Sequence, residues 1–227
     1  RFPRVKSPAL HLAELRALFL SVFFDLFMVF SFLFSRLSGY GVIGVDLAGS
    51  PRRVTGLCYL DSGLRCVAAR ARLDDEILVF VQEMRPRLVA IDAPLSFPPA
   101  GRSMRCCDEE LKKLGLRPLP PILGPMKMLT SRAIELKKIM RSLGYEVIEV
   151  FPSGARRILK LPSKKMGASA LRESLLKLGV KGIPEDVDEH VLDAVICALV
   201  GILYLRGRYV KVGDPNEGVI ILPKPIE

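Results

Sequence analysis

Three aspartates stand where a carboxylate is costly. Asp46 follows Val42-Ile-Gly-Val, Asp92 follows Leu88-Val-Ala-Ile, and Asp193 lies between Val191-Leu192 and Ala194-Val195-Ile196. A carboxylate in apolar surroundings must be paired, hydrogen-bonded or bound to a metal. Several carboxylates at one place repel one another and raise their own pKa values, and a divalent cation relieves that conflict. Oxygen ligands without a Cys/His cluster favour Mg²⁺ or Mn²⁺ over Zn²⁺. An acid at a strand end can also be a simple turn or cap residue, and Asp92-Ala-Pro94 fits that reading. Asp193 does not, because it falls mid-helix. His190 lies three residues earlier on the same helical face, where it would support a ligand or bind phosphate.

These residues need elements to bring them together. Val42–Asp46 reads as a buried strand entering a turn. Val54–Leu60 and Leu64–Arg70 read as a β-hairpin around Asp61-Ser-Gly63. Apolar spacing at Ile77, Leu78, Val81 and Met84 predicts a helix over 73–84, with Asp74, Asp75 and Glu76 favourably placed in its first turn. Leu88–Asp92 is a further strand. Arg102–Leu114 reads as a helix, Arg117–Pro125 as a proline-rich connector and Met126–Leu143 as a second helix. Tyr145–Val150 is a strand and Phe151–Gly154 a turn. A short helix over 169–178 and a long one over 185–206 follow. Tyr209–Val212 and Val219–Leu222 form a small terminal hairpin. This order predicts an α/β fold, a mixed sheet with helices on both faces. Parallel strands end at one sheet edge, so Asp46 and Asp92 can meet there, and Asp193 can reach them from the helix alongside.

The 227 residues include 34 Lys and Arg against 24 Asp and Glu, a formal charge of +10. Half the residues are hydrophobic, which excludes a disordered chain. The stretch 101–181 holds 18 basic and 7 acidic residues, so the positive charge is concentrated there. Such a basic region suggests a phosphate-rich partner, nucleic acid above all; a solvated helical surface is the bland alternative. The five cysteines are odd in number and form no C-x-x-C pair. They suggest neither a disulfide framework nor a zinc site, and they fit a reducing cytoplasm.

Eight of the eleven Phe residues lie in the first 34 positions. From Ala17 to Phe34 the chain is almost wholly apolar, interrupted by Ser21, Asp25 and Ser31. Three readings are open: a membrane anchor, a secretory signal, or sequence upstream of the true domain. The abrupt change at Gly39–Gly41 favours the last. The expected organisation is an apolar Phe-rich segment over 1–38 and one domain over 39–227, with membrane contact only through 17–34.

Four motifs occur in a suggestive order: Gly44-Val-Asp46-Leu-Ala-Gly-Ser50, Ile91-Asp92-Ala-Pro94, Glu149-Val-Phe-Pro152 and His190-Val-Leu-Asp193-Ala194. Together they resemble an uncharacterised family described as predicted nucleases of RNase H-like fold, domain of unknown function family 429. The first strand's Asp and the Asp-Ala pair on the last long helix also resemble RuvC-type resolvases. The resemblance covers roughly Gly41–Pro225. It implies a five-stranded mixed sheet flanked by helices, with the hairpin strands antiparallel to the first. It also implies a two-metal site, with Asp46 between the ions, Asp92 a ligand from the fourth strand and Asp193 a ligand from the final helix. Glu149 ends the fifth strand and joins them as a catalytic candidate.

In such a nuclease one cation activates the attacking water and the other stabilises the leaving oxygen, about 4 Å apart. Arg102, Arg105, Arg132, Arg156 and Arg157 are then the candidates for holding substrate phosphate, with His190. Ser153-Gly154 is a weaker candidate for a phosphate-binding turn. Two other readings keep the same fold. One is a non-catalytic nucleic-acid-binding or interaction module. The other is an ATP-binding domain of kinase or actin type, since Asp46–Ser50 faintly resembles the first phosphate loop of that superfamily; Ala48 stands where that loop has Gly.

Overall fold

The computed structural model describes residues 40–225; the apolar run over 17–34 lies outside them. No helix among the described residues is long and apolar enough to cross a membrane.

The described residues form seven strands and six α-helices. They are β1 (Gly41–Asp46), β2 (Thr55–Asp61), β3 (Cys66–Ala71), α1 (Asp74–Met84), β4 (Leu88–Asp92), α2 (Cys106–Lys113) and α3 (Gly124–Ser142). After these come β5 (Glu146–Val150), α4 (Pro152–Ile158), a 3₁₀ turn (Lys164–Met166), α5 (Gly167–Lys177), α6 (Glu189–Leu205), β6 (Tyr209–Asp214) and β7 (Gly218–Pro223). The sheet order is β3-β2-β1-β4-β5-β7-β6. β1 is antiparallel to β2 and parallel to β4, and β5 and β7 continue in parallel. The mixed sheet flanked by helices is as expected.

The expected count of five strands is corrected to seven. The terminal hairpin docks on the free edge of β5 and extends the sheet. The join is short: only Glu149↔Ile220 and Val150↔Ile221 pair. Side chains secure it, because Val212, Ile220 and Leu222 bury themselves with Cys107 and Leu111 of α2.

Several helices differ from their expected spans by a few residues, and two departures have clear local reasons. α2 starts at Cys106 and not at Arg102, because the Asp108 carboxylate accepts the Arg105 backbone N–H at 3.0 Å. The expected turn over 151–154 is the start of α4, with Pro152 in the first helical turn, where its missing N–H costs nothing.

Alternation along the strands sorts the core into two layers. Val42, Leu88 and Ala90 face α6, whose residues from Val191 to Leu203 are all buried. Ile43, Val45, Val89 and Ile91 face α1 and α3. The α6 layer contains the close approaches. A Cβ on Gly44 would collide with the Ala194 carbonyl and the Ala198 nitrogen, and one on Gly56 with the His190 carbonyl. Glycine at both places lets α6 lie directly on β1 and β2.

Candidate active site

The register of β1 and β4 pairs Asp46 with Asp92. Two-residue alternation puts both on the side of Gly44 and Ala90, towards α6. Asp188 starts that helix by accepting the Val191 N–H at 2.9 Å. His190 is therefore on its first turn, and Asp193, buried at 3% exposure, faces the strand ends.

Contacts fix each group differently. His190 Nδ1 lies 2.6 Å from Asp46 Oδ2, and the imidazole is otherwise largely exposed. With Asp46 ionised, Nδ1 carries the proton and donates it, leaving the Nε2 lone pair to solvent. Asp193 is gripped by cations. Arg156 gives Nε and Nη2 to Oδ1 at 3.1 and 2.6 Å, and Lys164 Nζ lies 3.0 Å from Oδ2. Asp92 has no hydrogen-bond donor or ion-pair partner among the described residues.

The electrostatics follow. Burial, then the charges of Asp46 and Asp193, push the Asp92 carboxyl well above its usual range, and Lys164 pulls it back in part. Asp46 is also raised, by burial first; the His190 hydrogen bond opposes this and the Asp193 charge adds to it. The cluster thus holds more negative charge than its surroundings neutralise. As the side chains lie, no three His, Cys, Asp or Glu residues among those described encircle one ion-sized point.

Glu149 borders the same strand ends but leaves the sheet on its other face. Its register partner is Ile91, so alternation turns it to the opposite face of the sheet. There it accepts Arg105 Nη1 and Nη2 at 2.8 and 2.7 Å and the Leu95 N–H at 2.8 Å. Burial raises its pKa, and Arg105 offsets that rise. Arg105 itself is fully buried, with every N–H of its side chain engaged by Asp108, Ser96 or Glu149. It therefore serves the core and cannot face a phosphate.

The other candidate arginines are also occupied. Arg156 is buried on Asp193. Arg132 bonds Asp74, the Ala48 carbonyl and the Arg72 carbonyl, tying the loop after β1 to α1. Arg102 pairs with Glu217 and Glu109, and Arg157 donates to the carbonyls of Leu114 and Gly115.

The sequence did not single out Lys164 or Arg117. Arg117 is exposed at a cavity of about 290 Å³ over the C-terminal ends of β1, β4 and β5. Asp46, Asp92 and Glu149 line that cavity beside Pro118, Leu119, Met126, Leu129 and Phe151, and Ser153 of α4 lies on its wall. Its lining combines carboxylates at the strand ends, apolar side chains and the Arg117 guanidinium.

The class this defines is an α/β protein with a mixed sheet and its acids gathered at the strand ends. The chain belongs to the DUF429 family, proteins of unknown function, which matches residues 44–217. Among solved structures it is similar to Thermus thermophilus RuvC, at 14% identity, covering 74% of this chain and 96% of that one with a TM-score of 0.44. It is likewise similar to T. thermophilus RuvC in complex with a Holliday junction substrate, at 17% identity, the same coverages and a TM-score of 0.46. No curated protein matches significantly.

Proposed function

We propose that this protein is a nuclease, hydrolysing phosphodiester bonds with a Mg²⁺ or Mn²⁺ ion held at Asp46 and Asp92. The observation that carries this reading is the pair itself. Two carboxylates in register on adjacent strands, next to a third on α6, leave Asp92 with no protein partner at the edge of an open cavity. A hard cation satisfies that donor set. When bound, the cation supplies Lewis-acid polarisation at phosphorus and a more acidic bound water.

The rest is done by the chain. Asp46 orients His190 so that Nε2 faces solvent and can take a proton from the attacking water. Arg156 and Lys164 hold Asp193 in place. Arg117 reaches a phosphate entering the cavity. Nucleic acid is the substrate class that suits an acid site entered past a guanidinium in a basic chain.

One observation favours a non-catalytic binding module instead: both oxygens of Asp193 are already ion-paired. The ATP-binding reading gains nothing comparable. In its would-be phosphate loop the Ala48 N–H is taken by Thr55 and the Ala48 carbonyl by Arg132.

Cleavage of branched DNA, an RNA–DNA hybrid and single strands by wild type and Asp46→Asn separates these. The nuclease reading expects Mg²⁺- or Mn²⁺-dependent cleavage that falls at least about a hundredfold in the variant. Equal cleavage by both proteins contradicts it. Salt-sensitive binding without turnover supports the module.

A further inference from the structure

The acids at the sheet edge already have a cation of the protein's own. Lys164 sits on the 3₁₀ turn before α5, with its side chain 58% exposed and its ammonium 3.0 Å from Asp193 Oδ2. It is placed so that its charge acts on Asp46 and Asp92 as well as on Asp193. Arg156 occupies the other oxygen of Asp193 from the buried side. Both oxygens of the carboxylate expected to hold a second metal are therefore engaged by fixed positive charge.

Charge counting points the same way. With all three carboxylates ionised, as a bound cation would hold them, and His190 neutral, three carboxylates and two side-chain cations leave one net negative charge. One divalent ion turns this into one positive charge, which a phosphodiester neutralises. Two divalent ions would leave a strong positive excess in a partly buried site, where like charges repel most.

We propose that Lys164, with Arg156, takes the place of a second metal, so that the centre binds one divalent ion at Asp46 and Asp92 and not two. This rests on the reading that the acids bind a cation, and it revises the two-metal arrangement that family resemblance implies. Lys164 acts as a positioning and charge-compensating residue. Its ammonium holds Asp193, and its remaining N–H groups are open to solvent and to an incoming phosphate oxygen.

The test is Mn²⁺ binding to the full chain, followed by calorimetry and by electron paramagnetic resonance of free Mn²⁺, without substrate or turnover. Wild type should bind one ion. Lys164→Met should bind a second ion or hold Mn²⁺ on the order of tenfold more tightly, because a like charge has been removed and one oxygen of Asp193, Oδ2, freed. Lys164→Arg keeps the charge and should behave as wild type, which separates charge from folding damage. Lys165→Met, one residue away, should also match wild type. Two ions on the wild-type protein, or identical binding by Lys164→Met and Lys165→Met, would overturn the proposal while leaving the nuclease reading intact. No binding to any of the four proteins would overturn both.

Discussion

Asp92 shows how much a single side chain can carry. It is the acid with the largest unmet electrostatic need, because it has neither the imidazole of Asp46 nor the cations of Asp193. Its carboxyl is raised in the folded state, so the native protein holds that proton more tightly than the unfolded chain does. Stability from this group is therefore greatest at low pH and is lost as pH rises towards and through the raised value. In a chelating buffer at pH 8, Asp92→Asn should melt higher than wild type, by about 2–4 °C for each kcal/mol of repulsion relieved. Mg²⁺ should stabilise wild type and leave the variant unchanged. A lower melting temperature for the variant in chelator would show Asp92 to be a structural partner. The three aspartates were legible in the sequence because each interrupts an apolar run. The face of Glu149 was not, because β5 is buried on both sides and its composition shows no polar alternation to set the phase. Nor were the roles of Arg105, Arg156 and Lys164, since ion pairs between residues so far apart in sequence leave no periodic trace.

At the scale of elements, the site depends on how closely α6 lies on β1 and β2. Apolar residues on every side of α6 bury it, and Gly44 and Gly56 set its depth. Gly44→Ala places a methyl against the Ala194 carbonyl, where backbone and not a flexible side chain must yield. It should cost about 1–3 kcal/mol, as overpacking does, measured as a lower denaturation midpoint with an unchanged slope. Because Asp193 and His190 move with the helix, Mn²⁺ affinity should fall in the same variant. The strands and most helices followed from periodicity. The docking of the terminal hairpin did not, because a two-residue join to β5 is decided by apolar side chains that α2 supplies from elsewhere in the chain. α4 was hidden by Pro152 and Gly154, which suggest a turn when read locally. Pro is equally a first-turn helix residue.

The whole molecule carries +10. All five arginines selected from the basic stretch are engaged by protein groups. The basic composition therefore overstates the phosphate-binding surface. Nucleic-acid affinity should fall with salt along a shallow slope, with Arg117 among the few contributors. Arg117→Ala should reduce the log–log slope by about 1 without changing the fold. A slope unaltered by that change would place the backbone elsewhere.

The nuclease reading and the single-ion centre both depend on a cation between Asp46 and Asp92. The direct measurement is anomalous scattering from crystals of the protein soaked in Mn²⁺. The account predicts one strong peak within ligand distance of Asp46 and Asp92, with Lys164 still on Asp193. Crystals that show no peak there while the acids remain accessible, or whose manganese lies only at other surfaces, would contradict it.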